Sequence, residues 1–233
     1  MKPSIFLSFA LIALIFTSCL KNDNPATGTG DALIIAKHSG TNTVYGITLY
    51  AYSFGTFKSV TAINSNEIEK TYTLVSNQGY KTNFYYETPN AEFTSTKPTG
   101  SAFNFSAVFE NGATTEFQDI LTDKVLAVPT IGVCAYNPTK QILEISWTLL
   151  PDANSYAINI LDGPTLIFAS TELANTIKSY EISATSIGWA TGFTPLNGKS
   201  YTVKLFAFLY EPGGGVYDMQ AASVAEKTVA WGN

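Results

Sequence analysis

From Leu143 onward, apolar and polar residues alternate with a period of two. Leu143, Ile145 and Trp147 stand between Glu144, Ser146 and Thr148. The pattern returns at Tyr156, Ile158 and Ile160, separated by Ala157 and Asn159. It returns again at Tyr201, Val203, Leu205 and Ala207, which alternate with Thr202, Lys204, Phe206 and Phe208. In an extended chain successive side chains point to opposite faces, so a period of two predicts strands with one buried face. Pro151-Asp152-Ala153-Asn154 and Asp162-Gly163-Pro164 supply turns between them. Upstream, 33–36, 47–52, 71–75, 83–86 and 102–109 are rich in β-branched and aromatic residues, which also predicts strands. Gly40, Gly55, Gly79, Pro98-Thr99-Gly100 and Asn111-Gly112 punctuate them, and Asn-Gly is a strong hairpin signal. Helical periodicity of useful length is absent. The expectation is an all-β chain of two tandem Ig-like antiparallel sandwiches, 31–127 and 128–233, with Pro129 opening the second.

The N-terminus follows a different pattern. Met1-Lys2 is a short positive start, 5–16 is an almost unbroken apolar run, and Thr17-Ser18 brings small residues up to Cys19. A stable membrane-crossing helix needs about 20 apolar residues, so this run is short for a span. It reads as a secretory signal over 1–18. The arrangement resembles the lipobox of bacterial lipoproteins, with Phe16 at a place where Leu is usual. That resemblance implies acylation of Cys19 and a mature protein held on the membrane through its lipid. An outer-membrane location, facing the cell surface or the periplasm, would follow. Each buried methylene of an acyl chain contributes ~0.8 kcal/mol, so several chains hold a protein durably. Residues 19–30 are mostly polar and contain Pro25 and the run Thr27-Gly28-Thr29-Gly30, so they read as a flexible tether.

The downstream pattern also resembles a known family. Trp147 of Leu143-Glu144-Ile145-Ser146-Trp147 stands where fibronectin type III domains bury a tryptophan on their second strand. Ser155-Tyr156-Ala157-Ile158-Asn159-Ile160 is similar to their third strand. Phe193-Thr194-Pro195 followed by Gly198-Lys199-Ser200-Tyr201-Thr202-Val203-Lys204-Leu205-Phe206-Ala207 resembles their L-x-P-G-x-x-Y-x-V-x-V-x-A stretch. The resemblance implies core roles for Trp147 and Tyr201. Tyr201 would tie its hydroxyl to backbone a few residues upstream. It implies a fold and says little of function, because such sandwiches carry many unrelated roles.

Three features are candidate contact sites. If Tyr201, Val203 and Leu205 point inward, Phe206, Phe208 and Tyr210 form an outward aromatic stripe. Such a stripe is either covered by the first sandwich or is a platform for a protein or a glycan. The loop Glu211-Pro212-Gly213-Gly214-Gly215-Val216 lies between Tyr210 and Tyr217, and tyrosine is a good low-entropy contact residue. Trp189 lies between Gly188 and Gly192, where it would either stack on a sugar ring or cap the core.

Composition narrows the chemistry. The chain of 233 residues is 45% hydrophobic and 13% aromatic, carries a net charge of −5, and contains no arginine. Nucleic-acid interfaces rely on clustered positive charge, so nucleic acid is not an expected partner. With Cys19 assigned to lipid, Cys134 is the remaining thiol and reads as a small buried hydrophobe. His38 is the one histidine, which leaves no partner set for a triad or a zinc site. Glu67 and Glu69 share a face if extended and read as solvated surface rather than a glycosidase pair, and Glu116, Asp119 and Asp123 lack calcium-loop spacing. No catalytic residue, cofactor or metal is expected. The resulting expectation is a non-enzymatic envelope lipoprotein that acts as a binding or adhesion module. A glycan-binding accessory lipoprotein and a fimbrial or envelope subunit are the alternatives.

Overall fold

The computed structural model describes residues 26–77, 79–213 and 218–232. It is all-β, with fifteen strands and one short 3-10 turn (Asn90–Glu92) among the described residues. The N-terminal half contributes β1 (Thr29–Ser39), β2 (Asn42–Tyr52), β3 (Phe57–Asn64), β4 (Glu67–Asn77), β5 (Tyr80–Glu87), β6 (Ser101–Phe109) and β7 (Thr114–Leu121). The C-terminal half contributes β8 (Ile131–Asn137), β9 (Ile142–Trp147), β10 (Ser155–Asp162), β11 (Thr165–Ala169), β12 (Leu173–Ala174), β13 (Ser179–Ser183), β14 (Ser200–Tyr210) and β15 (Met219–Ala230).

In the N-terminal half the strands run β1-β2-β5-β4 and then β3-β6-β7. This is the Ig-like order, with β4 pairing β5 along one stretch and β3 along another. The Asn111-Gly112 turn joins β6 to β7, with Gly112 at φ 85°, a left-handed conformation that a side chain disfavours. Alternation on β6 sends Phe103, Phe105, Ala107 and Phe109 into a core with Ile34, Leu49, Phe57, Val60 and Leu74. Fully burying a side chain such as Phe57 or Phe103 stabilises the fold by about 1.5–3 kcal/mol.

In the C-terminal half, β13-β9-β8 form one sheet and β11-β10-β14-β15 line up in the other. That is the fibronectin type III arrangement. Its core gathers Leu143, Ile145, Trp147, Tyr156, Ile158, Tyr201, Val203 and Leu205. The Tyr201 hydroxyl accepts the Leu196 N–H at 3.0 Å, and Tyr156 likewise accepts the Leu150 N–H at 2.7 Å. Each phenol sits in the core and satisfies a loop amide that the turn would otherwise leave unpaired. Leu126 belongs to this core too, so the C-terminal body begins slightly before residue 128.

The two halves are not separate beads. Along 34–37, β1 pairs in parallel with β15 along 221–224, which fuses both halves into one twelve-stranded sheet. Register fixes the consequence. Ile34 of the first core pairs with Ala221 of the second, so both cores lie on the same side of the shared sheet. Leu33, Ile35, Ala222 and Val224 therefore point to the opposite side. No alternation of β15 announces this, because 219–224 is buried on both faces.

The start of β1 corrects the extent of the tether. Thr29 and Gly30 are already strand, and Ala26 packs on the first core. The Ser53 hydroxyl donates to Thr27 O at 2.7 Å. A Cβ on Gly30 would lie 2.6 Å from the Phe105 ring, so glycine is needed there for close approach rather than for flexibility. The segment 26–30 thus belongs to the body. Residues 1–25, with the signal and Cys19, lie outside the described residues.

Candidate functional site

The outer face of the shared sheet carries the candidate site. Cross-strand partners point the same way, so the register determines which residues meet there. Phe206 pairs with Val224 and Phe208 with Ala222 on β14 and β15. Ala222 pairs with Ile35 on β1. Leu33 pairs with Thr48, and Asp31 with Tyr50, on β2. Tyr50 in turn pairs with Tyr85, and Thr48 with Glu87, on β5. Five strands from both halves thereby build one surface.

That surface is a groove over the seam, about 580 Å³ in volume. Leu33, Ile35 and Ala222 form a buried floor. Phe206 and Phe208 stand on one side, parallel to within 1° and 6.0 Å between centroids. Tyr50 and Tyr85 stand on the other, 6.4 Å apart and 26° from parallel. Tyr52 continues the tyrosine row 6.1 Å from Tyr50. All four lining rings are half-buried. The aromatic stripe of β14 is thus flanked by the first half's β1 residues and still opens onto a cavity.

Polar groups share the groove with the rings: Asn77, Glu87, Asn159 and Lys204 also line it. Lys204 is engaged, with its Nζ 3.0 Å from Glu226 Oε1. Thr48 is 4% exposed, and its hydroxyl has no hydrogen-bond partner. An unpaired buried hydroxyl costs about 1–3 kcal/mol, so its position in the groove lining is notable. Burial pushes the Tyr50 phenol above its ordinary value, with Tyr52, Glu87, Asp31 and Tyr85 adding in the same direction. It therefore stays a neutral donor at physiological pH.

At one end of the groove the neighbour of β1 changes. Its first half runs beside β7, and its second half pairs with β15. Two carboxylates replace the ladder at the handover. Asp119 Oδ2 accepts the Ala32 N–H at 2.7 Å, and Asp31 accepts the Met219 N–H at 3.2 and 3.3 Å. Asp31 is 2% exposed, and burial together with Asp119 pushes its carboxyl up to about 8. Burial raises Asp119 as well, against the bonds from Ala32 and Ile120. Asp119 is accordingly a structural group at the seam.

The remaining expected residues lie elsewhere. Tyr210 continues the stripe but turns aside at a bulge, and its hydroxyl bonds to Ser155 and Glu172. Trp189 does not line the groove. Its Nε1 donates to Ser183 O at 2.9 Å, and its ring stacks on Phe193 and meets Phe168 and Trp231 edge-on. It caps the second core. Tyr217 lies outside the described residues. Cys134 is half-buried against the second core, and burial pushes its thiol up to about 11, away from reactivity. Among the described residues, no group of three or more His, Cys, Asp or Glu is placed to hold a metal ion.

The groove residues of the first half were not singled out in the sequence. Thr48, Tyr50 and Tyr85 stand in recognisable strands, but nothing local says that they face Phe206 and Phe208. That meeting depends on pairing between residues almost the whole chain apart.

No family model and no curated protein matches this chain. Solved structures give remote likenesses. A two-domain fibronectin type III segment of chicken tenascin matches at 13% identity and a TM-score of 0.30, over 84% of this chain and 98% of the other. Fibronectin(III)-like modules of CbhA from Clostridium thermocellum match at 15% identity and 0.26, over 88% and 93%. A 1.5-MDa bacterial ice-binding adhesin matches at 13% identity and 0.30, over 90% and 66%. Scores of this size carry no functional argument, and the sandwich assignment rests on this chain's own strand order.

Proposed function

We propose that this chain is a non-enzymatic lipoprotein of the cell envelope that holds a partner in the groove over its seam. The observation that supports the reading most is the gathering of Tyr50, Tyr85, Phe206 and Phe208, from both halves, around one open cavity. Aromatic side chains interspersed with polar groups on a concave surface suit binding. A rigid sheet beneath them suits it further, because the rings are held in place before a partner arrives. The anchor is supported by the sequence at 1–19. Among the described residues no helix is long and apolar enough to cross a membrane. Subunit polymerisation by strand donation gains no support at the seam, where β1 and β15 already occupy each other's edges along 34–37 and 221–224.

Intact-cell labelling tests this reading. Mass spectrometry of the mature N-terminus should find acyl chains on Cys19, and a Cys19→Ala variant should leave the membrane fraction. Tyr85→Ala should weaken capture of the protein's ligand by intact cells while leaving the fold intact. An unmodified Cys19 would remove the anchor. Capture unaffected by every groove variant would remove the contact surface.

A further inference from the structure

We propose that the occupant of the seam groove is a neutral oligosaccharide. This rests on the groove being the contact surface and deepens that reading by naming the ligand class. Four observations converge on it.

First, the groove crosses a sheet face, and its central strands have no free edge. β15 lies between β14 and β1, β1 between β15 and β2, and β2 between β1 and β5. An extended peptide gains affinity chiefly by adding a ladder to an exposed edge. Here no ladder is on offer along 34–37 or 221–224. Side-chain faces and hydroxyls are what the groove presents.

Second, charge is nearly absent. Lys204 is paired with Glu226, and Glu87 is the other charged residue of the lining. The chain has no arginine to grip a phosphate or carboxylate. An anionic ligand would meet Glu87 with no free cation opposite it among the lining residues.

Third, the aromatic rings come as parallel pairs. Phe206 and Phe208 are parallel, and Tyr50 lies nearly parallel to both Tyr52 and Tyr85. A pyranose has a flat face of C–H groups carrying slight positive charge, and the face of an aromatic ring is negative. Tyr50 and Tyr85 on one side and Phe206 and Phe208 on the other give such a face aromatic surface to pack against.

Fourth, Thr48 belongs to the lining and is 4% exposed, and its buried hydroxyl has no partner. Asn77 and Asn159 add amides that both donate and accept. A sugar hydroxyl also donates and accepts, so it matches Thr48 in either sense. A purely apolar occupant would leave that hydroxyl unsatisfied.

The test uses the full-length protein, purified in detergent. Affinity electrophoresis would screen neutral α- and β-linked glucans, galactans, mannans and xylans, with alginate and polygalacturonate as acidic comparisons. Calorimetry with oligosaccharides of the retained polymer then gives affinities. Retardation is expected on at least one neutral polymer and on neither acidic one. Tyr85→Ala should weaken binding at least tenfold. Thr48→Val should also weaken it about tenfold, while its melting temperature stays level or rises, because it removes an unpaired buried hydroxyl. That pairing separates a ligand contact from a structural residue. Retention on no neutral polymer, stronger retention on an acidic one, or unchanged binding in both variants would overturn the proposal. If Tyr85→Ala abolishes capture by cells while no neutral polymer binds, the sugar falls and the contact surface stands. If cell capture is untouched by both variants, both readings fall.

Discussion

Replacing Asp31 with asparagine isolates what the buried carboxyl does at the handover between β7 and β15. The unfolded chain ionises Asp31 near 3.8, whereas the folded chain keeps its proton up to about 8. Between those values the native state binds the additional proton, so stability declines as pH rises through the window and levels off above it. Each pH unit contributes ~1.4 kcal/mol when the group is fully coupled, which sets an upper bound of roughly 6 kcal/mol across the window. Asp119 and Glu211 are raised in the same direction and face the same cluster with Asp218, so they steepen the decline. The side-chain amide introduced by Asp31→Asn keeps an oxygen for the Met219 N–H and carries no titrating proton. Urea unfolding at pH 5, 7 and 9 reads the effect. Tryptophan fluorescence follows the second core, where Trp147, Trp189 and Trp231 pack, and far-UV circular dichroism follows the whole sheet. The wild type should lose ~2–5 kcal/mol from pH 5 to 9, and Asp31→Asn should lose at least about 2 kcal/mol less. Wild-type stability that rises across this range, or a variant with the same pH slope, refutes the assignment.

Other expectations are more local. Tyr201→Phe removes the acceptor of the Leu196 N–H and should cost about 1–2 kcal/mol in urea unfolding, without changing ligand capture. Trp189→Phe loses the bond to Ser183 O and should lower stability by ~1 kcal/mol, again with binding intact. Gly30→Val places carbon within 2.6 Å of the Phe105 ring and should lower stability by ~1–3 kcal/mol by thermal denaturation. Amides of 221–224 should be among the slowest to exchange in deuterium, since their strand lies between two hydrogen-bonded neighbours.

Much of the fold is legible in short windows. The alternation at Leu143, Ile145 and Trp147 follows from one buried sheet face, and β9 occupies that stretch. The Asn111-Gly112 turn needs only local backbone preference. The tether boundary was legible only in part, because Gly28 and Gly30 look like flexible glycines in sequence. In the fold they are small because Phe117 and Phe105 press against them. The stripe Phe206, Phe208 and Tyr210 could be read as outward from β14 alone. What surrounds it could not, because Leu33 and Ile35 arrive through a parallel pairing with no turn to announce it. Met219 to Val224 hid for a related reason, being a strand without polar positions to mark its faces. At Trp189 the local sequence leaves two outcomes open, an exposed ring or a cap on the core. Its neighbours Phe168, Phe193 and Trp231, from other segments, enclose it as a cap.

The parallel joint also decides how the molecule would bear load. Its strands point the same way, and the chain enters through one and leaves through the other. Tension between the two ends would drag β1 and β15 past each other lengthwise, so the paired residues from Ile34↔Ala221 to Lys37↔Val224 would resist together instead of peeling one by one. Under such tension the joint would carry the load, and the two cores behind it would be strained only once it had parted.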